Sequence, residues 1–235
     1  MIIRDLIKVE FRSRPNRFVV EFQSPELGVD LAHLHDPGRL TELLYPGAVL
    51  FIRRAANPNR KTHYDVIGCV KDGECVLINS AFHSDIAQEL IESGQIKELV
   101  DYSIVRREFT YGDSRLDFLL NNNERDMLLE VKGCTLVIDN HAKFPDAPTI
   151  RGTRHLNELI HAHESDGYES TVLFLILKSD AEIFSPNNST DPDFTAALKK
   201  AYDCGVNIVP YVFNIKRIEN QLNITELYRI PLRFL

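Results

Sequence analysis

Two apolar runs, Ser114-Arg115-Leu116-Asp117-Phe118-Leu119-Leu120 and Met127-Leu128-Leu129-Glu130-Val131-Lys132-Gly133, flank a wholly polar stretch from Asn121 to Asp126. Short apolar runs on either side of a polar turn read as a β-hairpin. A hairpin centred on that stretch sets Asp117 opposite Glu130, and directly opposed residues share a face with Cβ atoms about 4.5–5.5 Å apart. Lys132 lies two residues beyond Glu130 and points the same way, because side chains alternate along a strand. Two carboxylates and an ammonium therefore converge on one face of a sheet, among neighbours typical of a core.

Opposed like charges destabilise a sheet, and ionised carboxylates in apolar surroundings cost several kcal/mol, of order 3–5 when a partner is lost. A divalent cation compensates both. Few, hard oxygen ligands suit Mg²⁺ or Mn²⁺, which keep waters and accept phosphate oxygens. Asp117 and Glu130 are the expected metal ligands, and the Val131 carbonyl is placed to complete the shell. Lys132 is expected to orient a metal-activated water or to stabilise charge on a phosphate. The Asp…Glu-x-Lys arrangement resembles the metal site of restriction-endonuclease-like nucleases. The structural alternative is an ion pair of these carboxylates with Lys132 or Arg115.

The chain of 235 residues is long enough for one large or two small domains, and 44% of it is hydrophobic. No apolar run approaches the roughly 18 residues of a membrane span. The start, Met1-Ile2-Ile3-Arg4-Asp5, carries an early acid and no small-residue cleavage site, so no signal peptide is expected. Cys69, Cys75, Cys134 and Cys204 lack Cys-x-x-Cys spacing and read as reduced thiols of a cytoplasmic protein. Net charge is −7, but residues 1–62 hold 10 basic against 7 acidic residues. The basic portion is the half suited to a polyanion backbone. Oligomeric state is not legible.

Residues 1–81 read as all-β. Short runs rich in β-branched and aromatic residues at 6–11, 17–22, 48–52, 65–70 and 74–78 are separated by turn signals such as Pro46-Gly47 and Lys71-Asp72-Gly73. Five such strands suit a small closed barrel of the OB type, which often binds nucleic acid. Residues 82–235 read differently. A helical segment at 82–99, interrupted by Gly94, precedes strands at 105–111, 116–120 and 127–133. After a polar loop come a helix at 153–164, an apolar strand at 171–177 and a last strand at 206–213. Between those strands Asp191 caps a helix with Pro192 in its first turn and Gly205 just past its end. Strand–helix–strand implies a parallel pair, so the second domain is expected to be α/β with a mixed sheet.

With Arg106-Arg107-Glu108, Tyr111-Gly112, Ser114-Arg115-Leu116-Asp117-Phe118 and Glu130-Val131-Lys132, the segment Phe144-Pro145-Asp146-Ala147-Pro148-Thr149-Ile150-Arg151-Gly152-Thr153-Arg154-His155 resembles the sugar fermentation stimulation protein A family. Asn57-Pro58-Asn59-Arg60-Lys61-Thr62 and Gly94-Gln95-Ile96-Lys97-Glu98-Leu99 extend the likeness over nearly the whole chain. The resemblance implies an OB-fold barrel followed by a restriction-endonuclease-like domain. It also implies DNA binding without strong sequence preference and a regulatory link to sugar (maltose) metabolism. His35-Asp36-Pro37-Gly38-Arg39 departs from the family's usual loop.

The supporting cast follows from position. Glu108, on the preceding strand, offers a further carboxylate, although Arg106 and Arg107 beside it make a surface ion pair an equal reading. Arg151, His155 and Glu158 share a helical face that is expected to look at the metal site, and an Arg at a helix start is a good phosphate ligand. His161 and His163 face different ways and are not expected to be ligands. In the barrel, Arg12, Arg14 and Arg17 flank one loop and Arg53, Arg54, Arg60 and Lys61 another, with Phe11 and Phe18 available to stack on bases. Two functions compete: a metal-dependent nuclease, and a non-catalytic DNA-binding regulatory factor.

Overall fold

A computed structural model describes residues 1–234, apart from the side chain of Leu227. The chain begins with a short strand, β1 (Ile2–Ile3), and then enters a barrel of β2 (Ile7–Asn16), β3 (Val19–Ser24), β4 (Gly28–His33), β5 (Val49–Arg54) and β6 (Tyr64–Lys71). The order is β4-β3-β2-β5-β6, and a parallel β4–β6 pairing at Ala32–Tyr64 and His33–Asp65 closes it. β7 (Glu74–Leu77) adds to β6 outside the ring. The five-stranded barrel is as expected, but its membership is not. The strand expected at 74–78 lies outside the ring as β7, and its place is taken by β4, whose Gly-Val-Asp-Leu-Ala-His is largely exposed and carries little apolar pattern. Gly28, at φ +68°, makes the turn into it.

Leu50, Phe51 and Ile52 are all buried, without alternation. The reason is that the barrel wall has a core on each side. Leu50 and Ile52 join Val20, Phe22 and Val66 inside the barrel. Phe51, with Ile67 and Leu77, joins a second core shared with the large sheet. Barrel and sheet are thus fused through one apolar layer.

After the barrel come α1 (His83–Glu92), β8 (Ser103–Tyr111), β9 (Ser114–Asn121) and β10 (Asp126–Cys134), then β11 (Val137–Ile138) and β12 (His141–Phe144). They are followed by α2 (Ile150–Ser165), β13 (Glu169–Ile176), β14 (Ile183–Pro186), α3 (Pro192–Asp203), β15 (Asn207–Ile218) and β16 (Gln221–Arg229). The seven-stranded sheet runs β1-β16-β15-β13-β10-β9-β8. β10, β13 and β15 are parallel, and the flanking strands antiparallel. Gly94, at φ +67°, ends α1 as the sequence implied. Asp191 caps α3, its Oδ1 accepting the Phe194 amide at 3.0 Å. The stretch read as a polar loop holds β11 and β12, which pair with β14 in a small second sheet. α1 and the barrel cover one face of the large sheet, while α2 and α3 cover the other. Among the described residues, no helix is long and apolar enough to cross a membrane.

Candidate active site

The hairpin register is the one the sequence implied. Asp126 pairs with Asn121, and the ladder continues to Leu129 and Phe118. There it stops. At the next position the Asp117 carboxylate replaces a ladder carbonyl, its Oδ2 accepting the Val131 amide at 2.8 Å. The strand also turns at this point. Leu116 packs with α2 and α3, whereas Phe118 packs with α1, although residues two apart normally share a face. Asp117 Oδ1 accepts the hydroxyl of Ser84, from the first turn of α1, at 2.7 Å.

Glu130 is buried, on the α2 side of the sheet. Its Oε1 accepts from Lys132 and from His155, whose Nδ1 is 2.6 Å away. The Arg151 Nε–H lies 3.2 Å from the other ring nitrogen of His155 and can only donate. Nε2 therefore accepts, and the ring proton sits on Nδ1, facing Glu130. Glu130 Oε2 is buried with no hydrogen-bond partner among the described residues.

The two carboxylates have split electrostatics. Burial raises the Asp117 pKa, the charge of Glu130 adds to the rise, and the bonds from Ser84 and Val131 only partly offset it. Burial also opposes ionisation of Glu130, but the Lys132 charge and the His155 hydrogen bond outweigh it and hold that pKa below its ordinary value. The surroundings thus favour the ionised form of Glu130 and disfavour that of Asp117.

Lys132 and Val131 line a cleft of about 490 Å³ between barrel and sheet, opposite Arg17 and Pro37 and beside Arg151. The carboxylates lie behind that surface. A larger cavity, about 780 Å³, is lined by Tyr111, Arg154 and Glu158, and none of Asp117, Glu130 and Lys132 reaches it. Chemistry, not size, identifies the smaller one.

His83 was not legible as part of this site. Its ring lies where a Cβ on Gly133 would fall, so only glycine fits there. Its Nε2 is shut off from solvent without a partner among the described residues. Burial, and then the charge of Lys132, push its pKa down to about 4, so the imidazole is neutral. His83 and Ser84 open a helix that follows the barrel, and no spacing in the chain links them to a hairpin more than thirty residues later.

Two expected residues face elsewhere. Glu108 stands across from Asp117 in the β8–β9 register, but its backbone is left-handed (φ +52°), and its side chain turns outward to Arg115 at 3.6 Å. Glu158 shares the azimuth of Arg151 but sits seven residues along the helix, about 10 Å further on. It reaches the β8–β9 turn instead, accepting the Asp113 amide at 3.0 Å.

The barrel arginines separate into bound and free. Arg14 donates to the carbonyls of Arg17 and Gly38, each at 2.8 Å, and to that of Arg39, so it holds the loop together rather than facing outward. Arg60 pairs with Asp65 at 2.8 Å, and Arg12 meets Glu21 at 3.5 Å. Arg53 stacks over Phe82 and Arg54 over Tyr64, each at 5.4 Å. Arg17, Arg54 and Lys61 are exposed. Phe11 is buried and cannot stack on a base, whereas Phe18 is exposed.

Residues 81–219 match the family described as "Sugar fermentation stimulation protein RE domain", and residues 13–78 match "SfsA N-terminal OB domain". The chain belongs to the sugar fermentation stimulation protein family. A homolog from Methanothermobacter thermautotrophicus is 48% identical over 238 residues, covering 100% of this chain and 96% of that one. One from Methanococcoides burtonii is 47% identical, covering 88% and 85%. The structure of Pyrococcus furiosus SfsA in complex with Ca²⁺ superposes with a TM-score of 0.91 at 27% identity, covering 100% of this chain and 98% of that one. The fold is accordingly an OB barrel followed by a restriction-endonuclease-like mixed-sheet domain.

Proposed function

We propose that this family member is a divalent-metal-dependent phosphodiesterase acting on nucleic acid, with Asp117, Glu130 and Lys132 as its site. The observation that carries the reading is Glu130 Oε2, a buried carboxylate oxygen without a partner among the described residues, beside the half-buried Asp117 carboxylate on the adjoining strand. A buried anion left half-satisfied is costly unless a cation completes it. The relative solved with Ca²⁺ supports use of a divalent ion. A donor set of two carboxylates and the Val131 carbonyl suits Mg²⁺ or Mn²⁺, which keep waters.

When bound, the metal supplies a Lewis acid and an acidified water. The protein's part is positional and electrostatic. Glu130 stays ionised, aimed by His155 and, behind it, Arg151. Asp117, whose pKa burial and the Glu130 charge raise, would hold the cation together with Glu130, and the positive charge would favour its ionised form. Lys132 exchanges its contact with Glu130 for the charge that builds on the phosphate, and Arg151, beside it in the cleft, is a second phosphate ligand. Exposed Arg17, Arg54 and Lys61 supply backbone contacts with little sequence preference. The four free thiols fit a reducing cytoplasm.

A DNA-binding regulatory factor that does not cut is the second reading. It is favoured by one observation: among the described residues no group of three His, Cys, Asp or Glu gathers as a metal cluster. The deciding experiment incubates single- and double-stranded DNA and RNA with Mg²⁺, Mn²⁺ or EDTA, wild type beside Glu130→Gln. Metal-dependent cutting that the variant loses is the expected result. Binding without cutting in every condition favours the regulator.

A further inference from the structure

Three rings run along the barrel seam toward the cleft. Phe18 is 45% exposed, and its ring stacks with that of His33, centroids 6.3 Å apart and planes inclined by 19°. His33 meets His35 edge to face at 4.4 Å. The seam is rigid here, because His33 pairs with Asp65 where β4 closes on β6. His35 is anchored twice: its Nε2 lies 3.1 Å from Asp65 Oδ1, and its carbonyl accepts the Ser80 hydroxyl at 2.8 Å. Ser80 and Arg17, which adjoin the two ends of the row, both line the cleft that holds Lys132.

The cleft is bridged along one side. Asp146, from the segment before α2, accepts the Leu40 amide at 3.3 Å and packs directly on Gly38. The volume of about 490 Å³ falls within the roughly 300–1,000 Å³ that enclose a small-molecule-sized group. That volume is enough for a single nucleotide.

We infer that Phe18, His33 and His35 form a base-stacking track that leads single-stranded nucleic acid into the Lys132 cleft. What happens in the cleft rests on the phosphodiesterase reading, whereas binding along the track does not. Base–aromatic stacking is worth about 1–3 kcal/mol per base and tolerates any sequence. It also supplies what phosphate contacts cannot, a preference for unpaired bases.

The chain contains no tryptophan, so Phe18→Trp introduces a lone fluorophore on the track. The full chain carrying it is titrated in EDTA with oligo(dT), oligo(rU) and a blunt duplex. Single strands are expected to quench the indole and the duplex to leave it unchanged, and the stronger of the two single strands identifies the polymer. Phe18→Ala with His33→Ala is expected to weaken single-strand binding about tenfold or more while retaining the wild-type salt slope. Equal quenching by the duplex, or unchanged affinity in the double variant, overturns the track. Retained circular dichroism and retained binding by Phe18→Trp separate either result from misfolding. Cutting is assayed separately with Mn²⁺. Single-strand quenching without cutting leaves the track and removes the phosphodiesterase, and cutting without quenching does the reverse.

Discussion

His155 Nδ1 and Glu130 Oε1, 2.6 Å apart, join helix α2 to strand β10, and Arg151 fixes the imidazole from behind. A carboxylate buried in a sheet stays ionised because this donor and Lys132 face it. His155→Ala should therefore weaken Mn²⁺ binding by roughly 10- to 100-fold, the usual effect of removing an outer-shell partner. It should also cost about 1–3 kcal/mol of stability by leaving part of a buried carboxylate unpaired. Calorimetric titration and urea unfolding read the two effects, and unchanged Mn²⁺ affinity counts against Glu130 as a ligand.

Asp117→Asn separates metal binding from folding. The native carboxyl has a raised pKa, first from burial and then from Glu130. Its contribution to stability is therefore present at low pH and lost as pH rises through the folded-state value. The amide removes that loss while keeping the hydrogen-bonding shape. Mn²⁺ binding should disappear while Tm at neutral pH stays equal or rises, and a marked fall in Tm would show that the ionised carboxylate is needed for the fold.

Gly133 and His83 should couple. Gly133→Ala drives a methyl into the His83 ring, and overpacking of this kind costs about 1–3 kcal/mol. Removing the ring with His83→Ala should rescue most of that loss. Urea midpoints for the two single variants and the double variant give the coupling. Additive losses would place the strain somewhere other than this contact.

Asp36 sets a pH dependence at the contact between barrel and second domain. Burial, followed by the nearby Asp146 charge, raises its pKa to about 6, against an opposing hydrogen bond from Gly38. The stability it confers is complete below its ordinary value near 3.8 and lost as pH climbs through about 6. Tm should therefore gain a component on going from pH 7 to pH 5 that Asp36→Asn abolishes, worth about 1 kcal/mol over that range. Parallel melting curves for wild type and variant across that range would remove Asp36 as the cause.

The arginines of the barrel should part company. Arg14→Ala removes several donors from the loop carbonyls and should destabilise by about 2–4 kcal/mol. Arg54→Ala with Lys61→Ala, both exposed, should cost no more than about 1 kcal/mol, the scale of the Arg54–Tyr64 cation–π contact. That pair should lower the salt slope of nucleic-acid binding by about 2. Salt-dependent anisotropy is the measurement, and an unchanged slope moves the phosphate path off this edge of the barrel.

The hairpin, the capped helix at Asp191 and most barrel strands were legible in the chain because each is a local pattern: alternation, a polar turn, a cap three residues from its partner. The register from Asn121–Asp126 to Phe118–Leu129 was legible for the same reason, since a hairpin's turn dictates its register, but the ladder ends one pair short of Asp117 and Glu130. β4 escaped because its pairing, not its composition, makes it a strand. What only tertiary structure decided is everything that depends on which distant surfaces meet. It brings His83 and Ser84 to the hairpin from a helix elsewhere, and it turns Glu108 outward through one left-handed residue. It carries Glu158 about two helical turns past Arg151 and ties Arg14 to loop carbonyls instead of leaving it for a phosphate. Local propensity acts within a few residues and is written in their order. Contacts across the core depend on how whole elements pack, and no short stretch of sequence contains that information.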